Sequence, residues 1–115
     1  IGFASGQYIS DGVSANSSPD SSVYLGNNTK SLANGQSNQI VIGYNAIGAG
    51  SNTVTLGNAS ITKTVLGGVI QKRALDTAPA SATATGTTGE IRVTSTHIYV
   101  CIATNTWVRS VLTTW

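Results

Sequence analysis

The chain has 115 residues, one domain's worth, with a formal net charge of +2 and only 9% charged side chains, against about 25% in ordinary soluble domains. So few scattered charges give no nucleic-acid footprint, and no apolar run approaches the roughly 20 residues of a membrane-spanning helix. Low net charge and abundant β-branched residues also argue against disorder, and the Ser, Thr, Asn, Gly, Val and Ile content fits short strands joined by tight turns.

Residues 1–20, "IGFASGQYISDGVSANSSPD", are rich in Gly and Ser and hold one Pro. They read as a leading segment, the frayed end of something continuing upstream. The chain starts at Ile1 without a secretory pattern, so it is expected to be the C-terminal piece of a longer protein.

Residues 21–70 repeat a small unit. Aligned on glycine, the copies are Val23-Tyr24-Leu25-Gly26, Ile40-Val41-Ile42-Gly43 and Val54-Thr55-Leu56-Gly57, with a weaker fourth at Thr64-Val65-Leu66-Gly67. The first three glycines stand 17 and then 14 residues apart. Apolar spacing of three and four, the mark of a helix, is absent. Side chains alternate along a strand, so the aliphatic pairs Val23/Leu25, Ile40/Ile42 and Val54/Leu56 are expected to face inward. The changing middle position, Tyr, Val and then Thr, is expected to face out. Glycine would supply a corner after each strand. A second short apolar element follows each corner: Leu32, Ala46 with Ile47, and Ile61. Each repeat is therefore read as one coil of a solenoid, with like residues stacked between coils. The longer first interval predicts an enlarged loop near Thr29–Asn34. So slender a stack is not expected to stand alone, and copies of the same chain around a symmetry axis would cover it.

Residues 71–89 are read as a linker that begins with the solvated turn "QKR", its small, uncharged stretch "TAPASATATGTTG" being either linker or an extended strand crossing between layers. Residues 90–115 are read as an antiparallel tip module. Its predicted strands are Glu90–Thr94, His97–Ala103 and Trp107–Leu112, with a hairpin at "TNT" (104–106). The middle strand would place Ile98, Val100 and Ile102 on one face and His97, Tyr99, Cys101 and Ala103 on the other.

The units "SSVYLGNNTK" and "SNTVTLGNAS" resemble the repeats of the YadA-like head of trimeric autotransporter adhesins. The run "NGQSNQIVIGYNAIGAGSNTVTLGNASITKT" is still more similar to tail-fibre proteins of tailed bacteriophages and prophages that carry the same repeat, and the likeness covers about residues 20–70. Residues 80–115 are similar to a small C-terminal module at the ends of phage tail and fibre proteins. The resemblance implies an all-β fold: a YadA-like left-handed parallel β-roll followed by the antiparallel module, assembled as an intertwined homotrimer. It implies the structural and receptor-binding distal part of a phage tail fibre, a virion component that attaches to a bacterial surface glycan or outer-membrane receptor. The alternative is the head of a bacterial trimeric autotransporter adhesin at the cell surface. If Trp115 is the native terminus, the ending "SVLTTW", without the long alternating strands of an adhesin's membrane barrel, favours the phage reading and no membrane insertion; if the chain continues, the adhesin head stays open.

The residue types point away from catalysis. Asp11, Asp20, Asp76 and Glu90 are scattered, whereas glycoside cleavage needs two carboxylates at a set separation. His97 and Cys101 hint at a metal only through a threefold axis, without a paired-ligand motif, so no metal or cofactor is expected. Cys101 sits in the apolar run "IYVCIA" and reads as a buried, inert thiol. Aromatic faces beside planar hydrogen-bonding groups suit sugars. Tyr99, Trp107, Arg109 and Trp115, with Asn105 and Thr106 at the hairpin tip, are therefore the candidate receptor-binding residues. The competing reading is that both Trp residues pack a terminal core or an interchain seam.

Overall fold

The computed structural model describes all 115 residues, and every regular element in it is a strand. The strands are β1 (Val23–Leu25), β2 (Ile40–Ile42), β3 (Val54–Leu56), β4 (Ile91–Val93), β5 (His97–Ala103) and β6 (Thr106–Val111). They form two three-stranded sheets, one parallel in the order β1-β2-β3 and one antiparallel in the order β4-β5-β6. The chain divides into two compact units, Ile1–Val65 and Leu66–Trp115. No helix is long and apolar enough to cross a membrane.

In the first unit the repeats pair in register, Val23 with Ile40 and Val54, Leu25 with Ile42 and Leu56. A second parallel ladder runs beside it through single bridges, Ile9 with Ser31 and Lys30 with Ile47. Residues 1–20, expected to fray, instead form a further course of the stack. Gly26 N–H donates to the Ile1 carbonyl (2.7 Å) and Asn28 N–H to that of Phe3 (2.8 Å), while Asp20 bridges Ser37. The same donation recurs one course on, from Gly43 to Leu25 at 2.9 Å and from Gly57 to Ile42 at 2.7 Å. Two courses differ in length because Lys30 and Ser37 bracket a longer turn than Ile47 and Ser51 do. The three extra residues fall within 31–36, overlapping the expected enlargement. There Gln36 Oε1 accepts from Ala33 N–H (3.3 Å) and lies 3.2 Å from Ser31 Oγ.

Corners explain why the stack closes. Gly2, Gly26 and Gly43 have φ between +128° and +134°, where a side chain is strained. A Cβ on Gly26 would lie 2.7 Å from the Gly43 carbonyl oxygen, so the glycines pile directly on one another. Two further corners use other residues in left-handed φ. Ala4, Asn28 and Asn45 form one column two residues after each glycine, and Ser21, Asn38 and Asn52 the other, five residues before. Asn and Asp are the side-chain-bearing residues most tolerant of that region. The Asn pairs also bond between courses, Asn28 to Asn45 at 2.5 Å and Asn38 to Asn52 at 2.9 Å.

The expected fourth copy does not form. Thr64–Gly67 makes no strand, and Val65 is 80% exposed. The corner columns supply the reason: the matching positions are Thr62 and Val69, both β-branched and so poorly suited to positive φ.

The expected facing is also reversed within the chain. The middle residues point into the coil: Val41 is 1% exposed, while Tyr24 and Thr55 are half-buried. The aliphatic pairs point out, Val23 at 53%, Ile40 at 38% and Leu56 at 55% exposed. Polar and small side chains dominate the space inside, with Thr29, Ser31, Gln39 and Ala46 fully buried. Gln39 Nε2 donates to Ser31 Oγ (2.9 Å) and the Tyr24 hydroxyl (3.2 Å). The buried Lys30 ammonium donates to the Asn28 carbonyl and Asn45 Oδ1, both at 3.3 Å.

The second unit is built on a different principle. Its sheet buries Tyr99, Cys101 and Trp107 under Ala84, on the face that carries the odd-numbered residues of β5. The other face, with Ile91 and Ile102 both 56% exposed, is open. The β5–β6 pairing shifts register between Cys101 and Ala103, a bulge that precedes the Thr104-Asn105 turn.

Candidate functional site

Three of the six residues singled out for receptor binding, Tyr99, Trp107 and Arg109, meet in one place in the second unit. In the antiparallel ladder Arg92, Tyr99 and Arg109 lie side by side across β4, β5 and β6, with Cys101 and Trp107 as the neighbouring pair. Directly opposed residues share a face with Cβ atoms about 5 Å apart. Segment 79–86 is drawn over this face by backbone bonds: Trp107 N–H donates to the Ala82 carbonyl (2.9 Å) and Asn105 N–H to that of Gly86 (3.0 Å). Small residues are needed there, since a Cβ on Gly86 would stand 2.5 Å from the Trp107 ring. Between residues 79–82 and Tyr99, Trp107 and Arg109 remains a half-open cleft of about 400 Å³.

Trp107 is a wall of this cleft and not a platform. Its indole N–H donates to the Ala84 carbonyl at 3.0 Å, Gly86 lies against its ring, and the Arg92 guanidinium sits 4.9 Å from the ring centroid. With 5% of its surface exposed, it has no free face for a sugar ring to stack on. Tyr99 is 9% exposed, and its hydroxyl makes no hydrogen bond within the chain. Arg109 is exposed and unpaired. Arg92, by contrast, is held at 2.7 Å by Glu90.

The other candidates are placed differently. Asn105 takes left-handed φ at the hairpin, and its Oδ1 accepts the Gly86 N–H at 3.0 Å, so its side chain holds segment 79–86 in place. Thr106 is exposed, pairs with Ala103 in the ladder, and its hydroxyl donates only to the Thr104 carbonyl (3.3 Å). Trp115 is fully exposed and lies outside the cleft, packing neither a core nor a seam within the chain. Cys101 is fully buried with its thiol directed at the Ala103 carbonyl (3.1 Å). His97 bonds Thr96 Oγ1 through Nδ1 (2.9 Å), and within the single chain no three His, Cys, Asp or Glu side chains cluster.

Comparison with family models, curated proteins and solved structures finds no match to this chain.

The carboxylates serve local geometry. Asp11 closes the 9–14 turn by accepting from Ser14 Oγ (2.6 Å) and from the Val13 and Ser14 N–H groups (both 2.8 Å). The Ser14 hydrogen bond leads in lowering its pKa. Asp76 accepts Val93 N–H at 2.7 Å and pairs with Lys72 at 2.8 Å, the Lys72 contact being the main cause of its lowered pKa. Glu90 is lowered chiefly by Arg92. All three are solvated, and no two are arranged for shared acid–base chemistry.

A second surface stands out in the first unit. Val23, Leu25, Ile40, Ile42, Val54 and Leu56 form two parallel aliphatic rows on the outside of β1–β3, five of the six exposed and Ile42 half-exposed. Contiguous exposed apolar rows of this kind mark an interaction surface. Reasoning from sequence grouped these six residues correctly by register and then assigned them to the interior.

Proposed function

We propose that the chain is a homotrimeric fibre segment: a left-handed parallel β-roll whose outward aliphatic rows pack against two sister chains, followed by a distal module that contacts a bacterial surface, as in a phage tail fibre. The observation that carries the reading is the paired row Val23/Ile40/Val54 and Leu25/Ile42/Leu56, apolar in every course and left uncovered by its own chain. A single course buries little, but in-register rows on three chains would share one apolar seam along a common axis. The polar interior of each coil fits the same reading, since the chain then draws its main apolar stabilisation from between subunits and not from within them. The fixed spacing of courses would hold the distal modules as a set of three, so that weak single contacts gain avidity.

The test is direct. Light scattering at micromolar concentration is expected to give three chains per particle, and a fluorescent fusion is expected to adsorb to a subset of a bacterial panel. A folded monomer that adsorbs to nothing overturns the reading.

A further inference from the structure

We propose that the cleft between residues 79–82 and the β5–β6 hairpin binds a carboxylate-bearing sugar, with Arg109 as its anion contact and the Tyr99 hydroxyl as a hydrogen-bonding partner. This rests on the fibre reading and deepens it by naming the ligand class. The volume, about 400 Å³, lies at the small end of the range for small-molecule sites, roughly 300–1,000 Å³.

Charge selects the ligand. Of the two guanidiniums in the cross-strand row, Arg92 is neutralised by Glu90 and laid on Trp107. Arg109 lines the cleft with no carboxylate in reach. A free planar fork of N–H donors matches a carboxylate in bidentate fashion. No acidic side chain lines the cleft to repel one.

Polarity selects the sugar. A buried tyrosine ordinarily satisfies its hydroxyl, as Tyr24 does with Gln39 in the first unit. Tyr99 lines the cleft with an almost fully buried ring, while its hydroxyl is open to solvent and free of any partner within the chain. The opposite wall is uncharged: the Ala82 carbonyl is taken by Trp107 N–H and Ser81 Oγ by Thr83 N–H, whereas the Ala80 N–H and C=O are unpaired. Small ring hydroxyls can reach such groups. Trp107 offers only its edge, so recognition is polar and anionic and does not rest on stacking.

The experiment is an NMR chemical-shift titration of the full chain with glucuronate, glucose and inorganic phosphate. Glucuronate is expected to saturate shifts at Tyr99 and Arg109, with glucose and phosphate each at least about tenfold weaker. Arg109→Gln is expected to reduce glucuronate to the level of glucose, and Tyr99→Phe to weaken both sugars several-fold, with far-UV circular dichroism and the melting temperature unchanged in both variants. Equal binding of the two sugars, phosphate as tight as glucuronate, no binding at all, or glucuronate binding that survives Arg109→Gln each overturns the proposal. A trimer that adsorbs to bacteria but ignores glucuronate removes this ligand and leaves the fibre reading intact. A monomer that binds glucuronate does the reverse.

Discussion

The two units solve the same problem, too few residues for an ordinary core, in opposite ways. The second gathers Tyr99, Cys101 and Trp107 under one crossing segment and keeps a small aromatic core of its own. The first fills its coils with Thr29, Ser31, Gln39 and a single Val41, stacks them through backbone ladders and asparagine corners, and leaves its aliphatic rows outside. The difference teaches that stability in the second unit is local to one cluster. In the first it is spread along the ladders, and the aliphatic rows stay uncovered by the chain itself.

The contrast breaks most sharply at Trp107. Replacing it with Ala should cost roughly 3–5 kcal/mol by removing a packed indole, a large share of the ~5–15 kcal/mol stability of a typical domain. Hydrogen exchange should then show residues 90–111 unprotected while the ladders of residues 23–56 keep their protection. Uniform loss across both would mean that the two cores are not independent. For the first unit the matching lesion is Gly26→Val, which puts a β-branched side chain at φ +134° and against the Gly43 carbonyl. Strain alone should cost about 1–3 kcal/mol, and protection should fall around β1 and β2 only.

Ile42→Asp separates folding from assembly. The side chain is half-exposed in one chain, so the isolated coil should tolerate it. Three carboxylates along one seam should not be tolerated, and light scattering should report monomers with unchanged far-UV circular dichroism. A trimer that survives this change removes the aliphatic rows from the interface.

The smallest expected effect is that of pH. Asp76 and Glu90 have pKa values below their ordinary 3.8 and 4.5 because Lys72 and Arg92 hold their ionised forms. A depressed carboxyl stabilises the fold above its unfolded pKa, and that contribution is lost as pH falls through the lower folded value. The melting temperature of the second unit should therefore be flat near neutrality and decline slightly below about pH 4. Double replacement by Asn and Gln should remove most of that decline.

The second unit's strands were legible because β-branched and aromatic residues alternate over seven positions around a Thr-Asn turn. The short parallel strands were legible because glycine recurs at a near-fixed interval. The crossing of segment 79–86 was legible only as one of two readings, and its seat over Trp107 not at all, since small uncharged residues such as Ala82, Ala84 and Gly86 carry no periodic signal. The course formed by residues 1–20 was missed for a related reason. Its glycine, Gly2, stands 24 residues before Gly26, because the 9–14 turn interrupts the spacing. The signal that could have found it lies in the corner columns, where Ala4 and Ser21 occupy the places that Asn28 and Asn38 fill one course later.

Three of the four expected parallel strands with their register, the antiparallel strands and the lack of a helix came from the sequence, because period-two alternation and recurrent corner residues are local properties of the chain. Tertiary structure alone decided which side of each strand is inside. Alternation states that Val41 and Ile42 oppose one another but is symmetric between the two faces, and only closure of the narrow coil, with room for Gln39, Thr29 and a lone Val41, turned the aliphatic rows outward. In the second unit the pairing of β5 with β6 set Arg109 directly across from Tyr99 and left it without a carboxylate partner.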